Sequence, residues 1–159
     1  MTDVDALVAA FEAAWSARER RVFEELCAPD MHYEDPLTPG PLYGPDELAD
    51  HAARLWATFP DARVESTGPR LADGRYVAAP LKVLGTHRGE TGELPPTSRF
   101  LVVHATLYCE LDAARERLWR VRAFLDLYDA GVQLGVLPRS GSAGERALLL
   151  VRGFGMRGR

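Results

Sequence analysis

The chain has 159 residues, 47% of them hydrophobic and 26% charged, the balance of one globular domain large enough to bury a core without disulfides. Its net charge of −4 sets up no field that would draw it to nucleic acid or anionic lipid. No apolar run approaches the roughly 20 residues of a membrane span, and the acidic start MTDVDALVAAF lacks the basic residues of a signal peptide, so a cytoplasmic protein is expected.

Thr2 or Asp3 is placed to cap a first helix, in which Val4, Leu7, Val8, Phe11 and Trp15 recur as one apolar stripe. Ser16 to Glu19 reads as a capping box for a second helix with Val22, Phe23 and Leu26 on its apolar face. Pro29 ends that helix. A short strand is expected over 31–35, and Pro36, Pro39, Gly40 and Pro41 then enforce a loop. Pro45 suits the first turn of a third helix, with Asp46 and Glu47 complementing its dipole. That helix should run to about Thr58 with Leu48, His51, Ala52, Leu55 and Phe59 on one face.

From there the pattern is of strands. Segments 63–71 and 76–86 flank a hairpin signal at Ala72-Asp-Gly-Arg75, and Pro80 implies an edge or a bulge. Over 100–111 the odd positions are wholly apolar and the even positions mixed. A turn from Asp112 returns the chain into a strand that ends near Asp126, followed by a short apolar helix with Gln-Leu-Gly at 133–135. Helices first and antiparallel strands after them predict an α+β domain over 1–138, its helices on one side of a curved sheet. Residues 139–159 read as a linker and a tail that is a short strand, a helix or loose chain. Cys27 and Cys109, far apart in apolar sequence, read as buried thiols.

Asp126 stands between Phe124-Leu125 and Leu127-Tyr128. It is either a solvated acid paired with Arg120 or Arg122, or a carboxyl held in a pocket, where desolvation would raise its pKa. Strand alternation groups it with Arg120, Arg122 and Phe124, opposite Trp119, Val121, Ala123 and Leu125. His104 lies mid-strand on the mixed face, either a core histidine or a pocket residue. His51 is the one polar residue on the apolar face of the third helix and can point into a cavity beneath it. Tyr33, Trp56, Phe59 and Phe124 are candidates to line a cavity for a flat aromatic ligand, or are plain core. Asp35 caps the proline loop or lies at a pocket mouth. The four histidines, His32, His51, His87 and His104, are scattered without metal-ligand spacing, so no metal is expected.

Several motifs in order, HYEDPL at 32–37, GPDEL at 44–48, FPD at 59–61, GTHRG at 85–89, PPTSR at 95–99 and WRVRAFLD with the following QLG, resemble the SnoaL-like polyketide cyclases of the nuclear-transport-factor-2-like superfamily. The resemblance implies a cone-shaped α+β barrel whose curved, mostly antiparallel sheet wraps a pocket closed by the N-terminal helices. It implies no metal and no cofactor, and an acid/base at Asp126, seven residues before Gln133. The expected function is cyclisation of a polyketide intermediate, of the kind found in antibiotic biosynthesis. Asp126 would take a proton from carbon, Asp126 or His104 would protonate the new alkoxide, and Arg122 would contact the substrate. The alternatives are an isomerase, dehydratase or epoxide hydrolase on the same cone, or a non-catalytic module binding a small hydrophobic ligand. Two apolar strand faces under one helical layer predict a homodimer.

Overall fold

The computed structural model describes residues 4–152. Its elements run α1 (Val4–Ala17), α2 (Arg20–Leu26), β1 (Cys27–Glu34), β2 (Leu42–Tyr43), α3 (Gly44–Thr58), β3 (Arg63–Ser66), β4 (Leu71–Asp73), β5 (Tyr76–Thr86), β6 (Phe100–Leu111), β7 (Leu118–Leu125), α4 (Leu127–Leu134) and α5 (Ala143–Val151). The fold is α+β, with one mixed sheet in the order β2-β1-β7-β6-β5-β3 and β4 pairing β5 beside β3. β1 runs parallel to β7, and the other neighbours are antiparallel. The inner face of the sheet and the helices α1, α2 and α3 close on one core. No helix among the described residues is long and apolar enough to cross a membrane.

The core is aromatic where the three helices meet. Phe11 and Phe23 are fully buried, with rings 5.7 Å apart edge to face, and Trp15 meets Phe23 at 5.5 Å. Burial of each such ring stabilises the fold by about 1.5–3 kcal/mol. Cys27 and Cys109 are buried free thiols, pushed up to about 12 by desolvation.

Two local expectations need correction. The capping box at Ser16 does not form, because α1 continues through Ser16 and the break falls at Arg18, whose φ is 60°. The Ser16 hydroxyl instead accepts from the Val64 N–H at 2.9 Å and ties α1 to β3, while α2 starts at Arg20, its N-cap Glu19 making no side-chain cap bond. β1 begins at Cys27 rather than Met31, and Pro29 is accommodated in an irregular stretch between the pairs Cys27↔Leu118 and His32↔Arg120. Thr2 and Asp3 lie outside the described residues.

Pro80 shows how a proline fits a central strand. β3 pairs with residues 81–84 of β5 and β4 with 76–78, so the flank beside Pro80 has no ladder partner. The Pro80 carbonyl accepts from the Thr67 N–H at 3.1 Å, and its missing N–H falls in the gap, a local edge inside the sheet.

The long β5–β6 connection is pinned to the end of α3. Arg88 and Gly89 both donate to the Thr58 carbonyl at 3.0 Å, and a Cβ on Gly89 would lie 2.2 Å from the Ala57 carbonyl oxygen. His87 is fully buried beside it. The Thr97 N–H donates to its Nδ1 at 3.1 Å, which leaves Nε2 carrying the proton toward the Thr91 hydroxyl at 3.0 Å. This histidine is structural. The tail folds into α5, none of whose residues is buried.

Candidate active site

The β6–β7 pair sorts the sequence candidates by parity. Leu101, Val103, Ala105, Leu107, Cys109 and Leu111 of β6, with Val121 and Ala123 of β7, face the core. Phe100, His104, Thr106 and Tyr108, with Arg120, Arg122 and Phe124, are exposed on the opposite face. His104, Arg122 and Phe124 are therefore on the outer side of the sheet and line no interior cavity. Arg122 pairs with Glu34, its register partner on β1.

Asp126 does not enter the cone either. It follows β7 on the outer parity, is exposed, and its Oδ1 accepts from the Asp129 N–H at 2.9 Å as the N-cap of α4. Its own N–H donates to the His104 carbonyl at 3.1 Å. The physical reason is the first turn of α4, whose free N–H groups attract the carboxylate away from the interior.

The other four candidates lie on the inner side: Tyr33 and His51 buried, Trp56 and Phe59 partly so. Tyr33 and Asp35 share the inward parity at the end of β1, and His51 comes down from α3 onto them. The His51 Nε2 lies 2.7 Å from Asp35 Oδ2, with side chains only 6% and 1% exposed. The Tyr33 hydroxyl donates to the same oxygen at 3.0 Å. The second oxygen, Oδ1, accepts from the N–H groups of Leu37 and Thr38 at 2.7 and 3.0 Å. One carboxylate thus caps the proline loop and holds a histidine.

Burial alone would raise the Asp35 carboxyl. The His51 hydrogen bond and charge, with donation from Leu37 and Tyr33, outweigh it and hold the group below its ordinary value. Tyr33 moves the other way, well above its ordinary value, because it is desolvated and sits against the Asp35 charge. The dyad is accordingly an ionised carboxylate with a neutral phenol beside it. Asp35 accepts the Nε2 proton, so in the neutral imidazole Nδ1 carries the lone pair, and it makes no hydrogen bond among the described residues.

The surroundings are aromatic. Tyr33 lies 5.8 Å from the His51 ring and 6.0 Å from Trp15, and Phe23 stacks on Trp56 at an interplanar angle of 12°. The Trp56 indole N–H donates to the Trp15 carbonyl at 3.0 Å, so its plane is fixed. Asp35 was not singled out as the partner of His51 by the sequence reading. The signal was present in the HYED parity, which puts Tyr33 and Asp35 on one face of a strand beneath a helix with a lone inward histidine.

A curved, mostly antiparallel sheet closed on one side by three helices, with a carboxylate and a histidine buried between them, defines the class of the fold: an α+β cone. The family model for the SnoaL-like polyketide cyclases matches residues 5–134, and the chain belongs to that family. Solved structures of the same fold include IdmH from Streptomyces antibioticus, a candidate polyketide cyclase, at 22% identity over 85% of this chain and 100% of that one, TM-score 0.74. AclR from Streptomyces galilaeus, a candidate hydroxylase, matches at 19% identity over 94% of this chain and 96% of that one, TM-score 0.75. A Catenulispora acidiphila protein of ketosteroid-isomerase-like fold matches at 19% over 82% of this chain and 93% of that one, TM-score 0.70. No curated protein matches the chain. At these identities the structures speak for the fold, and their differing descriptions show that the fold does not set the reaction.

Proposed function

We propose that this protein closes a ring in a polyketide intermediate by a cofactor-independent intramolecular aldol reaction, with His51 as acid/base and Asp35 as its positioning carboxylate. The observation that carries the reading is the buried His51–Asp35 contact at 2.7 Å, inside a cone lined by aromatic rings. His51 Nδ1 takes an acidic proton from the carbon between two carbonyls. The enolate attacks a second carbonyl of the same molecule, and the imidazolium returns its proton to the new alkoxide. Asp35 fixes the tautomer and stabilises the imidazolium between the two steps. Trp15 and Trp56, which pack with Tyr33 in the core, hold the substrate folded so that its carbons meet, which supplies a large part of such a barrier.

The dyad is buried, so substrate access belongs to the proposal: the loop after β1, anchored to Asp35 Oδ1 through the Leu37 and Thr38 N–H groups, swings away when substrate arrives. The test is turnover of a panel of linear poly-β-ketone esters, with ring closure followed by mass-neutral change in retention and ultraviolet absorbance. Cyclisation by the wild type supports the reading. Binding without turnover across the panel would favour a ligand-binding module.

We also propose that two copies pair through the outer sheet face. Tyr76 and Tyr108 stack there with ring centroids 6.2 Å apart, and Phe100 and Phe124 are about half exposed on the same side. Arg120, Arg122 and Lys82 lie among Glu34, Glu65 and Glu110, so the face carries both charges and complements itself. Light scattering should give a dimer mass, and Tyr108→Glu a monomer. A monomeric wild type at micromolar concentration would overturn this.

A further inference from the structure

Outside the cone, the chain builds a second concavity from α4 and the residues that follow it. Residues 136–138 fold back on the helix. The N–H groups of Val136 and Leu137 donate to the Gly131 carbonyl at 3.0 and 3.1 Å, and the Tyr128 hydroxyl donates to the Pro138 carbonyl at 2.9 Å. Gly131 permits this, because a Cβ there would lie 2.7 Å from Leu137 Cδ1. The result is an open cleft of about 430 Å³ between Tyr128 and Val132 on one side and Arg99, Arg139 and Ser140 on the others.

Two guanidinium groups, forty positions apart in sequence, converge on it. Arg99 is fixed: its Nη1 donates to the Gln133 carbonyl at 3.1 Å, and it lies over Gly135, where a Cβ would approach Nη1 to 2.8 Å. Arg139 makes no hydrogen bond among the described residues, so its donors are unspent. The one carboxylate in the lining, Asp129, accepts through Oδ2 from the Gln133 amide at 2.6 Å, which holds it against α4, and that amide also donates to the Val102 carbonyl at 2.8 Å. The walls combine two cationic forks and this one carboxylate with an aromatic ring and an aliphatic side chain, a net positive lining. Arg139 and Ser140 lie beyond the matched family segment, so this chain's own extension completes the cleft.

We infer that this cleft binds a small ligand carrying an oxyanion, a carboxylate or a phosphate, on an apolar body. Arg99 supplies a pre-positioned charge, Arg139 closes onto the second oxygen in the bidentate geometry that guanidinium favours, and Tyr128 with Val132 covers the apolar part. The site is separate from the His51–Asp35 dyad and does not depend on its role.

The test is calorimetric titration of the full chain with salicylate and, separately, phenyl phosphate, with salicylamide as the uncharged control. One or both anions should bind, and the stronger identifies the oxyanion. Arg139→Gln, on an exposed residue with no structural bond, should weaken that binding about tenfold or more, as loss of a charge-assisted hydrogen bond does. His51→Gln should leave it unchanged, which separates this site from the cone. Salicylamide binding as tightly as salicylate, unaltered affinity in Arg139→Gln, or no heat from either anion up to about 10 mM, the range of negligible affinity, would each overturn the inference.

Discussion

Two aspartates follow the ends of two neighbouring parallel strands. Asp35 comes directly after β1 and Asp126 directly after β7, and the parallel register Tyr33↔Val121 and Glu34↔Arg122 means that β7 runs on past the end of β1 to Leu125 before Asp126 is reached. Each accepts a backbone N–H from the segment that follows it. Yet Asp35 is buried and Asp126 is exposed. The difference is one of parity. Asp35 shares the inward face with Tyr33, where His51 and a phenol meet its second oxygen. Asp126 shares the outward face with Arg122 and Phe124, where solvent meets it. A carboxylate at a strand end thus becomes a cap alone, or a cap joined to a buried histidine, according to which side of the sheet its position reaches.

The comparison is sharpened first by stability. Asp35→Ala should cost on the order of 3 kcal/mol in urea unfolding, because it leaves a buried imidazole and a buried phenol without an acceptor. Asp126→Ala should cost only about 1 kcal/mol, the ordinary loss of a helix N-cap. Equal costs would break the distinction.

Acid should act on the same pair. The folded Asp35 carboxyl is held below its ordinary value, so its contribution is fully present above the unfolded carboxylate pKa of about 4 and is lost as pH falls through the depressed folded value. The stability gap between wild type and Asp35→Asn should therefore be widest near neutral pH and narrow in acid. A gap independent of pH would mean that Asp35 is not ionised in the fold. Tyr33 supplies the mirror case. Its raised pKa keeps the phenol neutral, and stability is lost as pH rises above about 10, where the unfolded phenol ionises. Tyr33→Phe should make that alkaline limb shallower, leaving the part contributed by the buried Cys27 and Cys109 thiols.

A smaller effect concerns the loop. Thr38 donates to Asp35 Oδ1 through its N–H and to the Asp35 carbonyl through its hydroxyl at 2.9 Å. The same hydroxyl accepts from the Asp35 N–H at 3.3 Å, so Thr38→Val removes two neutral hydrogen bonds, should cost about 1–2 kcal/mol, and should loosen residues 36–41 in amide exchange. Unchanged protection there would detach the loop from the dyad.

Much of this fold was legible because its patterns are strongly periodic. The alternating 100–111 strand was readable to the residue, and the 15-residue α3, with Pro45 and two acids in its first turn, to within one residue at its start. The family and the α+β cone followed from motif order. The site was legible only on its helical side. His51 announces itself as the polar member of an apolar face. Asp126 misled because its sequence neighbours are apolar, while in space Phe124 and Tyr128 are exposed themselves. Local composition does not say which face of a curved sheet is inside. Alternation did say so, since it set Asp126 opposite Val121 and Ala123, and the structure follows the alternation. The anion cleft was unreadable, for it depends on the fold bringing Arg99 to Arg139.

The central claim is that acid/base chemistry resides inside the cone at His51 and not at the outer Asp126. The most direct test is the turnover number for ring closure, compared between His51→Gln and Asp126→Asn under identical saturating substrate. The account predicts a fall of about 10²-fold or more for His51→Gln, the usual loss of general acid–base catalysis, and a rate within about threefold of wild type for Asp126→Asn. A wild-type rate in His51→Gln with a collapse in Asp126→Asn would contradict it.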